Sequence, residues 1–295
     1  LVSALAGIVV DGGALLLFRY YTWERLALGI ALFNLVFVPL ALAAHPNWAA
    51  VGAAFGNWRI PGGFTPIFLY VVLANFGTTI APWMLFFQQS SVVDKGLTVR
   101  DIRHGQMDTA LGAVAMVAVA LALIILTGTL VYGTPGANNF SIQQILMVLG
   151  QKMGRTGEDL FALGLVEAGT IASIALTAST SWAMGEAFHW PKSINLRPSV
   201  AWKFYLPGLF SAALAAGIVL IPHAPLGFLN LTVQVVASIF MPAALLFLLL
   251  LLNDKEIMGS YVNSFWQNMS AFLIIGLLIV LNGLYGLSVV FPHLF

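Results

Sequence analysis

Polar and helix-breaking residues set inside an apolar stretch are the strongest chemical signal in this chain. Residues 65–96 read TPIFLYVVLANFGTTIAPWMLFFQQSSVVDKG, with Asn75, Gly77, Thr78 and Thr79 leading into Ala81 and Pro82. Proline has no amide hydrogen, so Pro82 would deprive the Thr78 carbonyl, four residues earlier, of its helical partner, while its ring pushes Ala81 out of helical torsions. The combination predicts bare backbone oxygens midway along the stretch. Oxygens of that kind, with the Thr78 and Thr79 hydroxyls beside them, suit a hard cation. The plainer alternative is a proline kink, common in membrane helices.

A second polar group lies in LGFLNLTVQVVASIFMPAALLF, where Asn230, Thr232, Gln234 and Ser238 precede Pro242. The Gln234 amide oxygen can bind a cation or a shell water at less desolvation cost than a carboxylate; equally, it can bond a neighbouring helix. Acidic residues within apolar stretches are Asp11, Asp108, Glu167 and Glu186. Asp11 and Glu167 sit deepest, and each reads as a proton relay, a gate, a metal ligand, or more plainly a protonated carboxyl bonded to another helix.

Enzyme chemistry has little to stand on. His45, His104, His189, His223 and His293 are scattered over loops and ends, there is no cysteine, and no zinc-protease helix, Walker loop or serine elbow occurs. The chain reads as a non-enzyme without a permanently bound cofactor.

The elements that hold these residues must be membrane spans. Hydrophobic residues make up 60% of 295 positions and charged residues 8%, so the chain cannot keep its surface wet and requires a bilayer as solvent. A net charge of +1, without a basic patch of interleaved aromatics, argues against a nucleic-acid partner. Apolar stretches at about 3–18, 26–44, 64–88, 109–132, 159–188, 203–221, 226–252 and 266–292 predict an all-α integral membrane protein. Turn chemistry separates them at HPNW, PGG, YGTPGANN and LRPS, and none of these looks like a domain linker, so one transmembrane domain is expected over 1–295. The start, LVSALAGIVVDGG, lies already inside an apolar run without an initiator Met, and is expected to be an amino-terminal truncation.

Loops on one side hold Arg19, Arg25, Lys95, Arg100, Arg103, Lys192, Arg197, Lys203 and Lys255; the other side holds Arg59, Lys152 and Arg155. The first set is therefore expected to face the cytoplasm. The run SIQQILMVLGQKMG, with Ile142, Ile145, Leu146 and Leu149 at helical spacing, predicts either a short interfacial helix or a loop packed on the bundle.

Several of these segments resemble the natural resistance-associated macrophage protein (Nramp) family. YYTWERLALGIALFNLVFVPLALAAHPNW resembles the family's fifth helix and outer loop, NFGTTIAPWMLFFQQSS its broken sixth, LVEAGTIASIALTASTSWAMGEAF its eighth, and TVQVVASIFMPAALLFLLLLLNDKEIMG its tenth. The resemblance implies a LeuT-like (APC-type) helical bundle, with about eight spans here corresponding to family spans four to eleven. It also implies that Thr78, Ala81 and Gln234 line half of a metal site, with Gly77, Thr79, Pro82 and Trp83 supporting it. Ligands on the family's first broken helix would precede residue 1.

Thr78, Ala81, Pro82 and Trp83 stand where the family's metal importers carry alanine, methionine, proline and histidine, and two of the departures remove a functional side chain. Ala81 stands where they carry a methionine thioether, and Trp83 stands where they carry a histidine tied to the proton route. Loss of the soft ligand disfavours manganese, iron and cadmium relative to harder ions, and resembles the Nramp-related magnesium transporters. The resemblance then implies import of magnesium, and also manganese, by alternating access without proton coupling, in a multi-pass cell-membrane protein whose partners are these ions and the lipid bilayer. Alternatives are a proton-coupled manganese or iron importer, an amino-acid or other organic-solute carrier on the same fold, and a non-transporting sensor or assembly subunit.

Overall fold

The computed structural model describes residues 13, 19–57, 63–132 and 142–291. Asp11, His293, Arg59, Pro61, Gly62, the loop 133–141 and nearly all of the predicted stretch 3–18 lie outside the described residues. Regular structure within them is helical, without strands. In chain order it comprises α1 (Tyr20–Ala31), a 3-10 segment (Leu32–Val36), α2 (Phe37–Ala43), α3 (Trp48–Gly56), α4 (Pro66–Thr79) and α5 (Pro82–Lys95). There follow α6 (Ile102–Val131), α7 (Ile142–Ala187), α8 (Trp202–Val219), α9 (Leu226–Asn253), the one-turn α10 (Lys255–Met258) and α11 (Phe265–Val290).

Seven helical runs among the described residues are long and apolar enough to cross a membrane, and they match the last seven predicted stretches. The chain is thus an all-α, multi-pass integral membrane protein. The third run begins at Val99, ten residues before the apolar stretch at 109, because the capping box of Thr98 and Asp101 starts the helix inside polar sequence. The short helix expected in SIQQILMVLGQKMG is present from Ile142; Gly154, at φ 74°, ends it and separates it from the span that follows.

Two compact units divide the chain: residues 1–58 with 89–217, and residues 59–88 with 218–295. In the first, Phe37, Leu40, Leu126, Leu149 and Phe161 form the core, with the Phe37 and Phe161 rings edge to face at 5.5 Å. The 3-10 segment lies just ahead of Pro39, whose missing amide leaves the Leu35 carbonyl without a helical partner, so the backbone tightens there. Close helix packing in the Gly-, Ala- and Ser-rich run of α7 is realised at Gly208 of α8, where a Cβ would lie 2.5 Å from the Thr177 carbonyl oxygen.

The second unit consists chiefly of α4, α9 and α11 around Leu73, Ala74 and Val235, with Tyr70, Leu281 and Tyr285 packed on them. Thr65 caps α4 through its hydroxyl, and Pro66 occupies the first helical turn, where a missing amide costs nothing. Ser264 and Gln267 cap α11 reciprocally.

Candidate metal-binding site

The apolar run Pro66–Lys95 is not one helix. α4 ends at Thr79, Ile80 is extended at φ −140° and ψ 111°, and α5 begins at Pro82. The break predicted over 77–82 therefore falls at Ile80 and Ala81, inside a candidate span. The Ile80 amide still donates to the Phe76 carbonyl at 2.9 Å, and that bond closes α4. Beyond it, no backbone amide among the described residues reaches the carbonyls of Gly77, Thr78 or Thr79. The Ala81 carbonyl accepts from the Met84 amide at 3.0 Å, which places Ala81 at the cap of α5.

Both threonine hydroxyls turn back on their own helix. Thr78 Oγ1 donates to the Ala74 carbonyl at 2.9 Å, and Thr79 Oγ1 to the Asn75 carbonyl at 2.8 Å. Donation uses the hydrogen and leaves the oxygen lone pairs for a cation or its water. Thr78 and Thr79 are exposed, whereas the Ala81 side chain is buried. Trp83 is partly buried, with its ring edge-on to Phe87 at 6.2 Å.

Gln234 meets this segment through its backbone. A Cβ at Gly77 would fall onto the Gln234 carbonyl oxygen and 2.6 Å from its carbonyl carbon, so α4 and α9 touch main chain to main chain. Only glycine permits that approach. About two turns earlier on α4 and about half a turn earlier on α9, Tyr70 and Thr232 share a hydroxyl hydrogen bond of 2.8 Å, and Tyr70 packs against Phe228 and Tyr285. Gly77 and Gln234 are thus brought together by α4 and α9, with Thr78 and Thr79 immediately C-terminal to the contact.

Other polar residues in the spans have separate fates. Asn75 Nδ2 bonds the Val71 carbonyl of its own helix, Glu186 pairs with Lys192, and Asp108 is exposed. Both carboxylate oxygens of Glu167 are buried without a hydrogen-bond partner. Among the described residues no three His, Asp or Glu side chains gather as a metal cage. The oxygens this segment itself offers are carbonyl, hydroxyl and amide oxygens, a hard donor set.

Two positions had gone unread in the sequence. Asn282 of α11 is a polar residue in the middle of an apolar span, a signal open to the same argument that singled out Gln234. Asp94, near the end of α5, accepts from Trp182 Nε1 at 3.2 Å and from the Ile194 amide at 2.9 Å. It anchors the loop before α8, where Tyr205 also donates to the Leu196 carbonyl. Its partners lie about a hundred residues away, and no local pattern announces them.

A sequence profile described as "Natural resistance-associated macrophage protein-like" matches residues 2–288. Among characterised proteins, the chain is similar to the divalent metal cation transporter MntH of Xylella fastidiosa, at 25% identity over 264 residues covering 87% of this chain and 54% of that protein. It is similar to the divalent metal cation transporter MntH 1 of Pseudomonas aeruginosa, at 27% identity over 272 residues, 88% of this chain and 60% of that protein. A Staphylococcus saprophyticus protein of the MntH name is 29% identical over 233 residues, 72% of this chain and 50% of its own length. The chain spans about half the length of the curated relatives it matches. It belongs to the natural resistance-associated macrophage protein-like family.

Proposed function

We propose that this family member forms part of a carrier that imports divalent metal ions across the cell membrane by alternating access, with magnesium and also manganese as its ions. The observation that carries the reading is the break between α4 and α5. Bare carbonyls of Gly77 to Thr79 inside a span require burial in protein or a wet cavity, and at Gly77 the chain also packs against the backbone of Gln234. Thr78, the Ala81 carbonyl and the Gln234 amide are the ligands we assign to the ion, with Gly77, Thr79, Pro82 and Trp83 supporting them. A methyl at Ala81, in place of a thioether, leaves a hard donor set and room for retained water. Trp83 does not titrate, which supports transport without proton coupling. Inward flow would use the membrane potential, worth about 4.6 kcal/mol for two charges per 100 mV.

The relatives' names speak of divalent metal cation transport in general. A proton-coupled manganese importer is the second reading, favoured by Glu167, whose buried and unpartnered carboxylate is suited to carry a proton. Flux measurements on the protein in proteoliposomes separate the two. Magnesium uptake, weak competition by cadmium and no metal-driven acidification support the first; cadmium competition together with an inward proton current overturns it. Metal-independent uptake of an amino acid would point to an organic-solute carrier instead, and no uptake of any solute to a sensor or assembly subunit.

A further inference from the structure

α9 contains Pro242 in its interior. Its missing amide leaves the carbonyl of Ser238, four residues earlier, without the bond that a continuous helix would supply. Another helix supplies it here. Asn282 Nδ2 of α11 donates to the Ser238 carbonyl at 3.2 Å and to the Leu278 carbonyl of its own helix at 2.8 Å. Both acceptors are carbonyl oxygens, so the amide nitrogen and not its oxygen must face them.

Two polar atoms at the same place are idle. Ser238 Oγ and Asn282 Oδ1 are both buried and without a hydrogen-bond partner, and Ser238 is 1% exposed. A helical serine ordinarily donates to the carbonyl four residues back, which for Ser238 is that of Gln234, the carbonyl packed against Gly77. An unpartnered buried hydroxyl beside an unpartnered amide oxygen is a costly arrangement, and a second conformation that pairs them would relieve it.

We propose that Asn282 is the positioning residue of α9 at Pro242, an inference that rests on the carrier reading above. Its amide nitrogen takes the place of the bond that Pro242 removes and holds α9 in its present line. When it lets go, the half of α9 bearing Gln234 pivots at Ser238, and the idle hydroxyl and amide oxygen bond to each other in the pivoted state. Asn282 acts through α9 and not as a ligand. Removing it therefore slows the conformational cycle while leaving the ion's affinity intact.

The test compares the wild-type protein with Asn282→Leu, Pro242→Ala and the double variant. Asn282→Leu should lower the melting midpoint in detergent, and adding Pro242→Ala, which gives α9 its own amide for the Ser238 carbonyl, should recover at least half of that loss. In proteoliposomes, manganese turnover of Asn282→Leu should fall about tenfold, with KM and the calorimetric manganese Kd changed less than about twofold. The double variant stays slow, because a straightened α9 no longer bends. Additive melting losses, or a weakened Kd with unchanged turnover, overturn the proposal. A wild-type protein that moves no divalent ion overturns the carrier reading instead. The inference then stands or falls on nitroxides at Leu229→Cys and Leu250→Cys, both exposed positions, one on either side of Pro242. Asn282→Leu should broaden their distance distribution, and an unchanged distribution refutes it.

Discussion

Gly77 of α4 and Gln234 of α9 meet backbone to backbone, so closely that any side chain at Gly77 would overlap the Gln234 carbonyl. This contact joins the two polar clusters, which are separated by some 150 residues of sequence. It also sets the first prediction, because two effects of opposite sign compete there. Replacing a helical glycine by alanine ordinarily stabilises a helix by about 1 kcal/mol. Displacing packed backbone costs about 1–3 kcal/mol or more, since main-chain atoms cannot swing aside as a flexible side chain does. Packing should win: Gly77→Ala should melt lower in detergent and lose most metal uptake. Equal or higher stability would mean that α4 and α9 do not meet main chain to main chain at Gly77.

Ala81→Met tests the assigned ligand set. A thioether adds a soft donor and fills space that a retained water would need, so cadmium affinity should rise and magnesium uptake should fall. Competition by cadmium against manganese uptake measures the first, and magnesium flux the second. The Ala81 side chain is buried, so part of the methionine must turn into the break; unchanged selectivity would show that it turns elsewhere and that Ala81 does not face the ion.

Much of this was legible in sequence, for identifiable reasons. Spans were readable because a bilayer demands about twenty apolar residues at a time, and the break was readable because proline's missing amide acts locally on Thr78 and Ala81. The contact of Gly77 with Gln234 was not, since a glycine in an apolar run reports only that something approaches and never what. The Thr78 and Thr79 hydroxyls are legible as oxygens for a hard cation, but not their bonds to carbonyls of α4, which use the hydrogens and leave the lone pairs. Asn282 went unread although its position in α11 was visible, because its partner is defined by Pro242 on a different helix.

Asp94 supplies a prediction independent of transport. Its carboxylate receives the Ile194 amide and the Trp182 indole, and its own backbone carbonyl receives Asn195 Nδ2. Asp94→Ala leaves the Ile194 amide without that acceptor, at a cost of about 1–3 kcal/mol. Asp94→Asn retains an oxygen that can accept, and should lose less. The ratio of the two melting shifts is the readout; equal losses would indicate that charge, not acceptance of these hydrogen bonds, is what matters at this position.

Pro82→Ala addresses the break itself. The substitution restores an amide within reach of the Thr78 carbonyl and removes the ring that holds Ala81 out of helical torsions, so both local causes of the interruption disappear at once. α4 and α5 should then tend to join through Ile80, where the chain is now extended. Alanine favours the helix by about 3 kcal/mol relative to proline in an interior position, enough to shift a local equilibrium by about two orders of magnitude. The expected result is a protein that melts no lower than the parent yet binds manganese weakly by calorimetry, because the carbonyls that would have met the ion are now bonded within the helix. A merely structural kink predicts the opposite pairing: a straightened helix would disturb its neighbours and lower the melting midpoint, while metal affinity would follow stability. Unaltered affinity in a folded Pro82→Ala protein would remove the bare carbonyls from the ion's path, and with them the reason to place a metal at this break.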